Sequence, residues 1–160
     1  MKTSPLMAAS DFMVEEIADE LRQIATSDAS RGKKAQRFAE TIREHGNHRW
    51  VGLYDVGPAA ISVIGWSGPA APAFPTFPID HGLNGAAVIM RQPVVANDVS
   101  RDPRYLTTLG TTQSEMVVPV LVNGRVVGTI DVESDELNRF ADNDRKFIER
   151  CAELAACLWE

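Results

Sequence analysis

Two long apolar runs, joined at Asn123-Gly124, form the strongest hydrophobic pattern in the chain. Residues 114–122 are apolar at nearly every position, and residues 125–134 add further valines and an isoleucine. The Asn-Gly dipeptide accepts positive φ at both centres of a type I′ turn, which predicts a two-stranded hairpin. A strand that is apolar on both faces is buried on both faces. We therefore expect the hairpin at the centre of an antiparallel sheet.

Three acidic residues, Glu115, Asp131 and Glu133, interrupt this pattern at the open end of the hairpin. A buried carboxylate is costly unless it has a partner, so these positions are where we look for function. With a regular two-residue turn, Glu115 falls opposite Val132 and points away from the face of Asp131. Pro119 cannot donate a ladder hydrogen bond, which indicates a bulge. One extra residue at Pro119 would bring Glu115 opposite Asp131, and we expect that arrangement.

The remaining pattern predicts helices at both ends of the chain and shorter elements between them. The expected helices cover residues 12–26, 33–44, 83–90 and 142–159, and the other strands cover 50–56, 60–66, 74–77 and 94–96. Residues 97–113 form a long connection, and a connection of that length is usually a lid or a binding loop. We expect an α+β fold with a central antiparallel sheet of about five to six strands. Its N- and C-terminal helices should share one face, with a ligand cavity under loops and the short helix on the other.

The length and charge of the chain limit the number of domains and the kinds of partner that we expect. The 160 residues suit one domain, which we place at residues 10–160 after a disordered or loosely held N-terminus at 1–9. The chain has 16 basic and 22 acidic residues, a net charge of −6, and it contains no basic run. This charge balance disfavours nucleic acid and membrane partners. The first residues lack the apolar core of a secretory signal, so we expect a cytoplasmic protein. No cofactor is indicated.

Several segments together resemble the GAF domain, a sensory α/β module. They are the hairpin SEMVVPVLVNGRVVGTIDVES, WVGLY at 50–54, GLNG at 82–85, ANDVSRDPRY at 96–105 and FADNDRKFIE at 140–149. More narrowly, the chain resembles the free methionine-(R)-sulfoxide reductase branch of that family, and the resemblance covers most of its length. It implies the α+β fold given above and a cavity for a small molecule.

The resemblance to these reductases does not extend to their chemistry. Sulfoxide reduction in this branch needs one thiolate to attack sulfur and a second thiol to resolve the sulfenic acid. The three positions that carry cysteine in the reductases match Phe74, Asn84 and Thr108 here. Cys151 and Cys157 lie six residues apart on one predicted helix, about 9 Å along its axis, beyond the ~7 Å limit for a disulfide. We expect both to be structural and the chain not to be an enzyme.

The binding residues implied by the resemblance are an aromatic pair and three acids, which hold the free amino acid in the reductases. They match Trp50, Tyr54, Glu115, Asp131 and Glu133. Carboxylates bind an ammonium group, and aromatic faces hold a cation or an apolar side chain. The alternative is that the aromatics are ordinary core residues and the acids lie at a wet strand end. No metal site is expected, because His45 and His48 lack an evident third ligand and suit a solvated helix end.

These observations favour a non-catalytic, ligand-binding sensory GAF module, with an amine or a free amino-acid-like compound as its ligand. One alternative is an enzyme like the free methionine-(R)-sulfoxide reductases. Another is a structural or dimerisation module without a ligand. A cyclic-nucleotide or tetrapyrrole sensor is disfavoured, because three acids repel a phosphate and no mid-chain cysteine is present to attach a bilin. A homodimer through the terminal helices is possible for such modules.

Overall fold

The computed structural model describes residues 9–160, with side chains from residue 14 onward. The prediction of a loosely held N-terminus at 1–9 falls outside these residues, apart from Ala9, which begins the first helix. The helices are α1 (Ala9–Thr26), α2 (Arg31–Gly46), α3 (Gly82–Met90) and α4 (Asp142–Ala155), with 3₁₀ turns at Val99–Arg101 and Ala156–Trp159. The strands are β1 (Trp50–Val56), β2 (Ala60–Ser67), β3 (Thr76–Pro78), β4 (Val94–Ala96), β5 (Ser114–Val122) and β6 (Arg125–Ser134).

All six strands form one antiparallel sheet in the order β3-β2-β1-β6-β5-β4. The predicted hairpin is present as β5 and β6, and both strands lie inside the sheet. Its turn residues Asn123 and Gly124 have φ values of 50° and 76°, which the Asn-Gly pair accepts with little strain. The α+β fold with a central antiparallel hairpin is confirmed.

A bulge does shift the register of the hairpin, but it does not lie at Pro119. Pro119 pairs regularly with Thr129. The shift follows between Val120 and Leu121, where β6 rather than β5 carries an extra residue, Val127. The expected position of the bulge is therefore wrong. The observed bulge nevertheless shifts the pairing by one residue, which places Glu115 on the same face of the sheet as Asp131.

The neighbouring strand explains why Pro119 needs no bulge. β4 pairs with β5 only at residues 115–117, so β5 is an edge strand at Pro119. A proline is tolerated at an edge when its nitrogen faces the open side. Because the extra residue belongs to β6, Glu115 lies opposite Glu133. The expectation that Glu115 lies opposite Asp131 is wrong, since Asp131 pairs with Val117. All three acids still share one face of the sheet.

The two faces of the sheet meet different layers. α1, α2 and α4 cover one face, which confirms that the N- and C-terminal helices lie together. Their apolar residues form the main core with the inward side chains of three strands, among them Val51, Leu53, Met116, Ile130 and Val132. None of the helices among residues 9–160 combines the length and the apolar character needed to cross a bilayer.

The opposite face of the sheet is covered by α3 and by the connection at 97–113. The connection is fastened at both ends, because the Val99 amide donates to the Gln113 carbonyl and the Gln113 amide donates to the Ser134 carbonyl, at 2.9 and 2.8 Å. Between these bonds, Leu109 packs into an aromatic cluster with Trp50. Residues 102–112 therefore form a cover over this face, which is also held in its middle, where the Ala73 amide donates to the Thr108 carbonyl at 3.1 Å.

Candidate functional site

The register of β1 against β6 brings the two predicted aromatic residues to the face that carries the acids. Trp50 lies opposite Glu133, and Tyr54 lies two residues beyond the Gly52–Asp131 pair. A Cβ on Gly52 would overlap the Trp50 ring and lie 3.0 Å from Cε2 of Tyr54. The glycine therefore lets the two rings close over β1, with centroids 6.4 Å apart. The structure thus brings the aromatic pair and Asp131 together.

The three acids are almost completely buried and close together. Glu115 is 2% exposed, and Asp131 and Glu133 are fully buried. One carboxylate oxygen from each residue can be chosen so that the three oxygens lie within 4.8 Å of one another. The wet strand end considered from the sequence is therefore not what the fold provides. Glu115 lines the floor of the small cavity on this face, whereas Asp131 and Glu133 do not line it but have carboxylate oxygens within 4.8 Å of one on Glu115.

Two acids have one oxygen bound by a neutral side chain. Asn84 donates from Nδ2 to Oδ2 of Asp131 at 2.9 Å, and Thr112 donates from Oγ1 to Oε2 of Glu133 at 2.7 Å. The other oxygens, Oδ1 of Asp131, Oε1 of Glu133 and Oε2 of Glu115, are buried without a hydrogen-bond partner among the described residues. Buried polar atoms are rarely left this way, so each such oxygen calls for an explanation.

Burial raises the pKa of every acid in this cluster, and repulsion by neighbouring carboxylates adds to the effect for Glu115 and Glu133. Burial, followed by the charges of Asp131 and Glu133, raises the pKa of Glu115 well above its ordinary value. Burial and the charge of Asp131 raise the pKa of Glu133 to about 8. Burial raises the pKa of Asp131 to about 6, against hydrogen bonds that favour its charged form. Without a cation, the cluster therefore holds protons at neutral pH.

The cavity beside Glu115 is small and closed. About 10 Å³ is open to the centre of a water molecule, which is room for about one water-sized group. Its apolar wall contains Tyr54, Phe77, Leu83 and Leu106. Clefts of about 540 and 550 Å³ lie elsewhere on the surface, and none of the acids lines them. A ligand larger than a few atoms reaches the acids only if the cover at 102–112 moves.

Asn84 and Thr112 are site residues that the sequence did not reveal as such. From the sequence, Asn84 is only a position that matches a cysteine of the reductases. In the fold its Oδ1 accepts a hydrogen bond from Thr129 at 2.5 Å while its Nδ2 binds Asp131. The signal for Asn84 was a polar residue inside the apolar helix sequence GLNGAAVIM. For Thr112, inside an irregular connection, no pattern pointed to the contact.

The other positions that match reductase cysteines also line the cavity. Thr108 is 8% exposed, and Phe74 is about half exposed at the edge of the cavity. Cys151 lies in the main core on the opposite face of the sheet, where burial raises its pKa to about 12. Cys157 is exposed in the turn after α4. Neither cysteine lines the cavity.

The acid cluster can hold a cation. Carboxylate oxygens are the ligands that Ca²⁺, Mg²⁺ and Mn²⁺ prefer, and they also accept hydrogen bonds from ammonium groups. The histidines do not add to this site. His45 binds Glu20 at 2.9 Å. His48 is only 6% exposed and packs beside Phe140, so the expectation that it lies at a solvated helix end is wrong.

Comparison with known proteins supports this description of the fold. The profile of the GAF domain matches residues 30–158. GAF domain-containing protein A of Dictyostelium discoideum is 25% identical over 141 residues, which is 88% of each chain. The free methionine-R-sulfoxide reductase of Saccharomyces cerevisiae is 32% identical over 74 residues, 46% of this chain and 41% of the relative.

Solved structures give the same assignment. The free methionine-R-sulfoxide reductase of Neisseria meningitidis, solved in complex with its substrate, superposes with a TM-score of 0.83 at 22% identity, covering 99% of this chain and 96% of that one. The type II reductase of Thermoplasma acidophilum superposes with a TM-score of 0.76 at 28% identity, covering 86% and 94%. The chain therefore belongs to the GAF domain family, with relatives in the free methionine-R-sulfoxide reductase branch.

Proposed function

We propose that this chain is a non-catalytic, ligand-binding GAF module whose cavity receives the ammonium group of an amine or an amino-acid-like compound. The observation that carries the proposal is the set of three buried carboxylate oxygens that no described residue hydrogen-bonds, one each on Glu115, Asp131 and Glu133. Placing three such acids together is destabilising unless a cation or protons compensate them.

The spacing of the acids suits a primary ammonium group. Such a group has three N–H donors, and charge-assisted N–H···O bonds are ~2.7–2.9 Å long. Three acceptors around one tetrahedral nitrogen at those lengths lie about 4.4–4.7 Å apart. One carboxylate oxygen from each acid lies within 4.8 Å of the other two, so the three are close enough together for one ammonium group to contact all of them.

The aromatic side chains of the site support the same class of ligand: Tyr54 and Phe77 line the cavity, and Trp50 packs against Tyr54 outside that lining. The rings of Trp50 and Tyr54 lie 6.4 Å apart, and those of Tyr54 and Phe77 lie 5.7 Å apart. Aromatic faces attract cations and also pack against aliphatic groups. A ligand with an ammonium head and a short apolar tail would satisfy both the floor and the wall of the cavity.

The cover at 102–112 provides a physical basis for a sensory role. Thr112 belongs to this cover and binds Glu133, one of the proposed ammonium ligands. Because the ligand and Thr112 share Glu133, occupancy of the site would change the hydrogen bonding and the stability of the cover. A change of this kind can be transmitted to a partner without chemistry.

The non-catalytic part of the proposal is supported by the missing thiols. Threonine at 108 and asparagine at 84 cannot form a sulfenic acid, and Cys151 is buried on the other side of the sheet. The alternative function is free methionine-R-sulfoxide reduction, the activity named in several relatives. The small closed cavity also leaves open a structural module without a ligand.

Two measurements separate these functions. Calorimetric titration with primary amines and free amino acids should give binding that Asp131→Asn abolishes or weakens, whereas the exposed change Glu153→Gln on α4 should have no effect. Turnover of methionine sulfoxide with a thiol reductant should be absent. Activity that disappears in a Cys151→Ser/Cys157→Ser variant would establish the enzyme, and a lack of binding by all these compounds would favour the structural module.

A further inference from the structure

We infer that Glu115, Asp131 and Glu133 also form a site for a hard divalent cation, Mn²⁺ or Ca²⁺, which occupies the acid cluster when no amine is bound. This inference goes beyond the proposed function, because it concerns an inorganic ion and does not require the amine to bind. The expectation of no metal site rests on the histidines alone, whereas the register of β5 against β6 brings these three acids together.

The three carboxylates have no cationic partner within the described part of the chain. None of the ion pairs between described residues includes Glu115, Asp131 or Glu133. Asp102 adds to the negative charge, since its carboxylate contributes to raising the pKa of Glu115. Charged groups that are buried in proteins are paired or coordinate a metal. A divalent ion compensates two of the three negative charges, whereas one ammonium group compensates one.

The distances between the carboxylates meet the requirement of a single ion. Ca²⁺ binds oxygen at ~2.3–2.6 Å, so two oxygens on opposite sides of the ion lie about 4.6–5.2 Å apart, and neighbouring ones lie closer together. One oxygen from each acid can be chosen so that all three lie within 4.8 Å of one another. No pair in this set is therefore too far apart for one ion to contact both members.

Hydrogen bonds from neutral side chains orient two of the carboxylates for such an ion. Asn84 binds one oxygen of Asp131, and Thr112 binds one oxygen of Glu133. The second oxygen of each of these acids is buried, and no described residue hydrogen-bonds it. The Asn84 amide is itself fixed by the hydroxyl of Thr129, which donates to its Oδ1 at 2.5 Å. Carboxylates that ligate metals are typically held by hydrogen bonds of this kind.

The chemistry of the donors and the space beside them select the ion. All three acidic donors are carboxylates, which suit Mg²⁺, Mn²⁺ and Ca²⁺ rather than the softer ions that prefer thiolate or imidazole. The cavity beside Glu115 has about 10 Å³ open to the centre of a water molecule, which is room for about one water ligand. Mg²⁺ keeps several of its waters, so Mn²⁺ and Ca²⁺ fit this site better. An ion with one water can be held while the cover at 102–112 stays in place, whereas an amine requires the cover to move.

Metal titration of the full chain, treated with EDTA and then dialysed, tests the inference. At about pH 7.5, where fewer protons compete for the carboxylates, the protein should bind one Mn²⁺ per chain, measured by the electron paramagnetic resonance signal of the free ion. Glu133→Gln and Asp131→Asn each remove a charged ligand, and we expect each to weaken Mn²⁺ binding at least about tenfold. The exposed change Glu153→Gln on α4 is the matched control and should leave the affinity unchanged. Circular dichroism of the three variants shows whether they fold.

The outcomes distinguish this inference from the proposed function. Wild-type protein that binds neither Mn²⁺ nor Ca²⁺, or Mn²⁺ binding that Glu133→Gln and Asp131→Asn leave unchanged, would overturn the inference, and the amine titration without metal would still decide the proposed function. Mn²⁺ binding that both variants weaken, with no binding of any amine or amino acid, would support the inference and overturn the proposed function. Where a primary alkylamine does bind, a saturating amount should lower the affinity for Mn²⁺, because both need the same oxygens. An unchanged affinity in that case would overturn the inference.

Discussion

Glu115 and Glu133 lie directly opposite each other on β5 and β6, with both carboxylates buried. Like charges at directly opposed positions of an antiparallel pair are destabilising. Asp131, on the same face, adds a third acid to this pair. The arrangement therefore lowers the stability of the ligand-free fold, and that effect is measurable.

Replacing Glu133 with glutamine should stabilise the ligand-free protein at alkaline pH. The pKa of Glu133 is raised from 4.5 to about 8, so the folded state holds a proton that the unfolded chain has lost. The wild type therefore loses stability as the pH rises from about 4.5 to about 8. We expect Glu133→Gln to increase the free energy of unfolding by about 1–3 kcal/mol at about pH 8.5 and by little at about pH 4.5.

Urea denaturation at both pH values measures this difference. The exposed change Glu153→Gln provides a control that should show no comparable pH dependence. A Glu133→Gln variant that is less stable than the wild type at the higher pH would show that the carboxylate is compensated in a way that this structure does not contain.

Amine binding should strengthen as the pH rises. The ligand must displace protons from groups whose pKa values are raised, to about 6 for Asp131 and about 8 for Glu133. The affinity for a primary alkylamine, such as n-pentylamine, should therefore increase between about pH 6 and about pH 8, while the amine itself stays protonated. Asp131→Asn should weaken binding by about 1.5–3 kcal/mol, as for a hydrogen bond to a charged group.

Calorimetry in buffers of different ionisation enthalpy checks this prediction, because it counts the protons released on binding. Proton release should fall in Asp131→Asn. Affinity that is flat across this pH range, with no proton release, would contradict the assignment of the acids as the ammonium site.

His48 should make the fold sensitive to acid. Burial, followed by the charge of Arg139, lowers the pKa of His48 from 6.5 to about 4, and neither ring nitrogen has a hydrogen-bond partner within the described part of the chain. Between about pH 6.5 and about pH 4, His48 is therefore protonated in the unfolded chain and neutral in the folded protein. The free energy of unfolding falls as the pH is lowered through that interval. His48→Phe should remove about 2 kcal/mol of this loss at about pH 5.

Thermal or urea unfolding at about pH 5 and about pH 8 tests the effect of His48→Phe, since any change in packing is common to both pH values. Only the difference between the two measurements reports on protonation. If that difference is the same in wild type and variant, His48 does not titrate in this way.

Gly128 should not tolerate a side chain. A Cβ at this position would overlap the ring of Trp159 and lie 2.7 Å from the carbonyl oxygen of Tyr54. Trp159 cannot easily move, because its indole nitrogen donates to Asp55 at 2.6 Å and Arg31 stacks on its ring at 5.1 Å. We expect Gly128→Ala to lower the free energy of unfolding by about 1–3 kcal/mol.

Gly110 provides a matched control for that change. A Cβ there meets nothing within 4 Å among the described atoms, so Gly110→Ala should change stability by no more than about 0.5 kcal/mol. Equal effects of the two substitutions in urea denaturation would rule out the packing of Trp159 as the cause.

Much of the fold could be predicted because its signals are local. Asn123-Gly124 specifies a turn whatever surrounds it, and the apolar period of the terminal helices is independent of their partners. The position of the bulge is different. Whether Pro119 requires a bulge depends on where β4 stops pairing with β5, a tertiary fact that the sequence around Pro119 does not contain.

The site was predictable only in part for the same reason. The aromatic pair and the three acids are strand residues whose faces follow from alternation and register. Asn84 and Thr112 contribute through contacts 47 and 21 residues away in sequence. His48 is buried because the turn after α2 folds its ring over Gly46 and beside Phe140, although the segment EHGNH is polar. The homodimer through the terminal helices stays a prediction.

The extra residue Val127 has a consequence for how the sequence of this hairpin can evolve. Side chains alternate between the two faces of a strand, so this extra residue decides which side chains of β6 share a face with Glu115 of β5. With Val127 present, Asp131 and Glu133 lie on that face, and Ile130 and Val132 lie on the other. Deleting that single residue would exchange the two sets relative to β5, directing carboxylates into the main core. Natural variation in this segment should therefore replace residues freely near the turn, yet preserve the number of residues between the turn and the acids.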